Sequence, residues 1–301
     1  MIPFKNVIKF SFYLLIIELF SCKAPTQNII EKEVKPASIE IGEIKSIFSK
    51  SLNEEREYLI YTPESYVRKN DSSDQKKYPV LVLLDGGYHF HSVIGAIQFM
   101  SSNGLIPEMI VVAIPNTDRT RDLSPTFSGT DWEGTPTERF AKSGGGEKFL
   151  SFINDELLPE IDKTYSTLNL KVFVGQSLGG LLANHILLAN NPPFGAFISI
   201  DPSLWWNNYE YVDKLKNNIN PDLSNTKSFF MASAHNSDSK IDSSEIRMSQ
   251  TQFYNELLLK KADDLAFQFK IHEDDSHNSV PLKALYDVLP PVKRECYSKI
   301  R

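Results

Sequence analysis

The stretch Leu170-Lys-Val-Phe-Val-Gly-Gln-Ser-Leu-Gly-Gly-Leu-Leu-Ala183 decides how the rest of the chain is read. Leu170–Val174 is an apolar run of strand length, as expected for a strand buried on both faces. Leu181–Leu188 has helical character. The five residues Gly175-Gln176-Ser177-Leu178-Gly179 between them form a G-x-S-x-G turn. A serine hydroxyl is a weak nucleophile. It needs exposure at the end of a sheet, a base within hydrogen-bond reach and donors for the developing oxyanion. A sharp strand-to-helix turn gives the exposure, and Gly175 and Gly179 fit because β-carbons there would crowd the crossing. A bare G-x-S-x-G arises by chance in roughly one chain in ten of this length. The strand before it and the helix after it remove most such accidents.

Outward from this turn the pattern repeats. Short β-rich runs at Glu57–Tyr61, Pro79–Asp85, Met109–Ile114, Ala196–Ile200, Phe229–Ser233 and Ala266–Ile271 are interleaved with helical stretches at Lys148–Ile161, near Thr251–Lys260 and from about Pro281. Strands alternating with helices predict a mostly parallel central sheet with right-handed crossovers and helices on both faces, in a single α/β domain. The ligand site of such a sheet lies at the carboxyl ends of its strands.

A nucleophile on this turn requires an acid and then a histidine further along the chain. Of six histidines, His89 and His91 precede Ser177 and His185 lies in the helix after it. His235 comes before any acid of its loop, and His272 continues a strand. His277 sits in the polar loop Glu273–Ser279 between the last strand and the last helix, where a general base belongs. The acid is expected just after Phe229–Ser233, where Asp238, Asp242 and Glu245 are available, and spacing alone does not separate them. The backbone N–H of Leu178, next to the nucleophile, is the expected first oxyanion donor.

Several segments resemble an esterase group of α/β-hydrolases that includes esterase D, enterochelin-type siderophore esterases and feruloyl esterases. They are Leu83-Leu-Asp-Gly-Gly87, Asn116-Thr-Asp-Arg-Thr-Arg-Asp122, Ser143-Gly-Gly-Gly-Glu-Lys-Phe149, the serine turn, and Pro202-Ser-Leu-Trp-Trp206. The likeness runs from about Ile44 to Val288. It implies the α/β-hydrolase fold and ester hydrolysis through an acyl-enzyme. Ile241-Asp-Ser-Ser-Glu-Ile-Arg247 resembles the group's Met-Asp-Thr-x-x-Val-Arg segment, which makes Asp242 the implied acid, with Asp238 next. The turn Asp85-Gly86-Gly87-Tyr88 implies Gly87 N–H as the second oxyanion donor. Tyr88, Trp205 and Trp206 fall beside the expected pocket, as a stacking wall for an aromatic or sugar substrate. Arg119 and Arg121 could meet an anionic substrate there, or pair with Asp118 or Asp122.

The N-terminus carries its own message. Lys5 and Lys9 precede the apolar run Phe10–Phe20, which ends at Ser21-Cys22. A basic head, a run too short for a comfortable membrane span and a small residue at the boundary form an export signal. Leu19-Phe20-Ser21-Cys22 resembles a bacterial lipoprotein processing site. The expectation is a signal peptide over 1–21, lipidation of Cys22, a polar flexible tether over 22–42 and the esterase domain over 43–301, located in the cell envelope. Membrane attachment would then be through the lipid alone. With Cys22 acylated, Cys296 has no disulfide partner. The net charge of −6 and the lack of a basic tract argue against a nucleic-acid partner. His89-x-His91 could begin a metal site, but no H-E-x-x-H motif accompanies it, so no metal or cofactor is expected. The expected partner is a small-molecule or polysaccharide ester. The alternative is a surface-anchored binding protein of the same fold that has lost catalysis.

Overall fold

In the computed structural model, the described residues are 38–66, 76–189, 192–217, 226–235, 243–260 and 265–297. The expected signal peptide, Cys22 and most of the tether therefore lie outside the described residues, as do Asp238 and Asp242. Glu40–Arg301 forms one compact unit. Its centre is an eight-stranded sheet: β1 Glu43–Ser49, β2 Glu54–Tyr61, β3 Tyr78–Leu83, β4 Ile110–Ala113, β5 Thr167–Gln176, β6 Ala196–Ile200, β7 Ser228–Ala234 and β8 Ala266–His272. The spatial order is β1-β2-β4-β3-β5-β6-β7-β8. β2 runs antiparallel to both β1 and β4, and every pairing from β4 to β8 is parallel.

Among the described residues, eight α-helices flank the sheet: α1 Gly86–Ser102, α2 Arg119–Leu123, α3 Gly146–Ser151, α4 Leu158–Thr164, α5 Leu178–Leu187, α6 Trp206–Lys216, α7 Ser243–Lys260 and α8 Val280–Val292. Successive strand residues point to opposite faces, so each central strand feeds two cores. Leu81, Leu83, Val111, Val172, Val174, Ile198 and Phe230 pack with the apolar stripes of α1 and α8. Val80, Val82, Val112, Phe173, Phe197, Phe229 and Met231 pack on the other face with residues of α3, α4, α5, α6 and α7. This two-sided burial explains why the central strands read as unbroken apolar runs.

The helix expected over Lys148–Ile161 is present but uneven. Between α3 and α4 it widens into a π-helical stretch, Phe152–Leu157. Pro159, in the first turn of α4, lacks the N–H that would continue the ladder into the preceding turn. Beside this segment, the fully buried Arg56 of β2 meets Asp122 at 2.6 Å and lies over the Phe149 and Phe152 rings. That ion pair anchors α2 and so helps fix the loops at the carboxyl end of β4.

Candidate active site

Three neighbouring strands, β3, β5 and β6, end in residues with left-handed backbone: Asp85 at φ 54°, Ser177 at φ 59° and Asp201 at φ 42°. Non-glycine residues rarely adopt such angles, and local strain of this kind gathers at functional sites. At Ser177 the strain results from turning β5 directly into α5. The turn depends on Gly175, where a β-carbon would lie 2.1 Å from the Gly179 carbonyl oxygen. Ser177 N–H donates to Ile200 O (3.0 Å), which ties the serine to the end of β6.

Asp85 begins α1, and the turn demands Gly86, whose β-carbon would fall 2.7–2.9 Å from the backbone of Ala113 and Ile114. Gly86 N–H is already committed to Ile114 O at 2.8 Å, and Tyr88 N–H to Asp85 O at 2.9 Å. Gly87 and Leu178 both sit in the first turn of a helix, where N–H groups have no intrahelical acceptor. Both were expected as oxyanion donors, and both lie at the carboxyl end of the sheet on adjacent strand exits.

His277 lies between β8 and α8. Its Nδ1 is 2.6 Å from Oδ2 of Asp201, the carboxylate that meets it among the described residues. Asp201 is only 8% exposed. Its other oxygen accepts from Ala234 N–H (3.2 Å) and from Gln250 Nε2 (3.1 Å), and its own N–H donates to Ala232 O (2.7 Å). Such partners offset the cost of burying the carboxylate. The Gln176 side chain donates to the His277 carbonyl oxygen and holds the His277 loop from the serine side. The Ser177 hydroxyl is paired with Ser203 Oγ at 3.3 Å.

Sequence reasoning did not single out Asp201, the carboxylate that meets His277 among the described residues. The sequence expectation places the acid after β7, whereas Asp201 closes β6, one strand earlier and next to the strand that leads into Ser177. Its order in the chain, after Ser177 and before His277, meets the requirement that was applied. The signal was present in Ile200-Asp201-Pro202: a carboxylate at the end of an apolar strand. The implied acid Asp242 and its alternative Asp238 lie outside the described residues. For Glu245 the structure describes only that its backbone belongs to α7. Asp275, close in sequence to His277, is engaged by Lys283 (2.8 Å) and Ser279 (2.9 Å) instead.

The substrate-side residues divide. Tyr88 is 76% exposed at the start of α1. Trp205 is partly exposed and makes an edge contact with Trp132, ring centres 6.1 Å apart, in a loop that the sequence did not single out. Trp206 corrects the expectation of a paired wall. It is fully buried, and its Nε1 donates to Thr126 O (3.0 Å), so it is a core residue that fastens the 124–145 loop. For Arg121 the pairing alternative holds, not the substrate contact: Glu54 and Asp122 occupy its guanidinium, leaving it as a strut. Arg119 grips Asp85 through Nε (2.7 Å) and Nη2 (3.0 Å), with Asn116 on the same carboxylate at 2.5 Å. It remains about a third exposed, 38% for the side chain. Burial pushes the His89 imidazole below its usual range, against the opposing pull of Asp85. His89 is buried and His91 exposed, so these two rings do not converge.

The sheet order, the crossovers and the strained serine turn define an α/β-hydrolase. Residues 49–279 match the model of the family described as "Putative esterase", and the chain belongs to that family. A solved IroE-like serine hydrolase from Shewanella oneidensis superposes with a TM-score of 0.74 at 31% identity, covering 84% of this chain and 80% of that one. Ferri-bacillibactin esterase BesA of Bacillus subtilis is 31% identical over 169 residues, 52% of this chain. The matched stretch spans 57% of that relative's length, just over half. The enterobactin esterase FES of Shigella flexneri shares the fold at 19% identity, with a TM-score of 0.63 over 85% of this chain and 61% of its own.

Proposed function

We propose that this chain hydrolyses carboxylic esters through an acyl-enzyme on Ser177, with His277 as general base and Asp201 as the acid that orients it. The observation that carries the reading is the 2.6 Å contact of Asp201 with His277 Nδ1, on the loop that also touches the nucleophile. Asp201 fixes the imidazole tautomer with Nδ1 protonated, leaving Nε2 to accept the serine proton. Ser177 Oγ attacks the ester carbonyl as its proton moves to His277. The oxyanion is held by the N–H groups of Leu178 and Gly87. Collapse expels the alcohol, which takes the proton from His277. Water then enters by the same route in reverse roles, and the acid leaves.

The substrate class we favour is the ester of a siderophore lactone. The reading is supported by the relatives, whose names include a ferri-bacillibactin esterase and a siderophore triacetylfusarinine C esterase of Aspergillus fumigatus. Trp205, Trp132 and the exposed Tyr88 would offer aromatic surface to such a ligand. We further propose export and lipid anchoring at Cys22, from the sequence of the first 22 residues. A flexible tether over 22–42 would reach about 25 Å from the membrane, from 5–6 Å times the square root of its length.

The test is Ser177→Ala. Hydrolysis of a panel of aryl esters, feruloylated sugars and cyclic siderophore esters should fall on the order of 10⁴-fold with thermal stability nearly unchanged. A variant that keeps more than about a tenth of the activity would overturn the assignment. Wild-type protein that binds such ligands without turnover would favour the non-catalytic binding protein.

A further inference from the structure

The loop that carries the acid also presents a second hydroxyl to the nucleophile. Ser203 Oγ lies 3.3 Å from Ser177 Oγ, and Ser203 N–H donates to the Ser177 carbonyl oxygen at 3.1 Å. Among the described residues no hydrogen bond joins Ser177 Oγ to His277, so the Ser203 hydroxyl is the group that holds the nucleophile at rest. Ser203 is itself 5% exposed. Its surroundings are rigid: Gln250 donates to Pro202 O (3.0 Å), Leu204 N–H to Pro202 O (2.8 Å) and Trp206 N–H to Ser203 O (3.1 Å). One short loop, Asp201 to Trp205, therefore carries the acid, this hydroxyl and the aromatic wall.

Resting on the assignment of Ser177 as nucleophile, we infer that Ser203 is a further catalytic residue, whose O–H donates to Ser177 Oγ during both halves of the reaction. A hydroxyl donates once and accepts twice, so Ser177 can accept from Ser203 while passing its own proton to His277. In acylation the Oγ–carbonyl carbon bond forms, the carbonyl carbon–alkoxy bond breaks, and the Ser177 proton leaves with the alcohol by way of His277. In deacylation water adds, the Oγ–carbon bond breaks, and Oγ regains a proton from His277. Ser203 keeps its own proton throughout. Its contribution is a fixed donor beside an oxygen that gains charge as it leaves.

The experiment compares Ser203→Ala, Ser203→Cys and Ser203→Thr with the wild type in full-length protein, using a chromogenic acyl ester and a fluorophosphonate probe. Ser203→Ala should lower kcat roughly tenfold with KM little changed, and slow probe labelling of Ser177 to a similar degree. Ser203→Thr, which keeps the hydroxyl, should recover most of the rate, and Ser203→Cys, a weak donor of similar size, should not. If Ser203→Ala folds poorly, the Cys and Thr pair carries the comparison. Labelling and kcat within about twofold of wild type in Ser203→Ala or Ser203→Cys would overturn the inference. With Ser177→Ala inactive, that result removes only the role of Ser203. An active Ser177→Ala enzyme would remove the nucleophile assignment and this inference together.

Discussion

At the scale of single residues, the partner of a charged side chain decides what that charge can do. Arg119 was seen as a possible ligand for an anion, yet its guanidinium meets Asp85 in a two-point grip. Asp85 holds a left-handed turn whose next two residues lead to Gly87, the proposed oxyanion donor. Arg119→Met should therefore lower kcat about tenfold, with KM changing less, by loosening an oxyanion donor. Arg119→Lys should restore little, because an ammonium cannot reproduce the fork. Steady-state kinetics on a short acyl ester check this, and a pure KM effect would return Arg119 to direct substrate binding. Asp201, the proposed acid, was not legible in the sequence for the complementary reason. Which strand end supplies the acid depends on which loop folds toward His277, and that contact spans 76 residues. No local pattern encodes it.

Elements were legible where a physical constraint acts on a short window. The strands β3, β4, β6 and β7 are buried throughout and mostly apolar, as is the Leu170–Val174 part of β5. β1 carries a mostly exposed, half-polar sequence, Glu-Ile-Lys-Ser-Ile-Phe-Ser, because it is an edge strand paired on one side only. It gave no signal for that reason. The α6 segment was also hidden: Asn207, Asn208 and Tyr209 are left-handed at its start, which no helical pattern anticipates. The serine turn was the clearest element, since its glycines answer a steric demand. Gly175→Ala should therefore displace the Gly179 carbonyl, costing on the order of 3 kcal/mol, roughly 6–12 °C in Tm. Activity should fall with it. Thermal melts and kinetics that both match the wild type would refute the steric account of the turn.

The whole molecule carries buried groups whose titration sets its pH range. Burial holds the His89, His185 and His272 imidazoles below their ordinary value, so the fold disfavours protonating them. The unfolded chain binds these protons first as pH falls through about 6.5, and stability is full above that pH and declines below it. A second loss follows nearer pH 4. Arg121 holds Glu54, and Lys283 holds Asp275, below the usual carboxylate range, and these stabilising pairs are lost as the acids protonate. Tm should fall from pH 7 to pH 5 and more steeply below about pH 4.5. A flat profile from pH 7 to pH 5 would contradict the burial of the histidines.

The account rests most heavily on Asp201 as the acid behind His277, and parallel kinetics of Asp201→Asn and Asp242→Asn test it most directly. The asparagine at 201 would place the wrong hydrogen-bonding atom or the wrong imidazole tautomer at Nδ1. Its kcat/KM should fall roughly 10³- to 10⁴-fold, while Asp242→Asn should stay within about threefold of wild type. An Asp201→Asn enzyme within about threefold of wild type, beside an Asp242→Asn enzyme that is nearly inactive, would contradict the account.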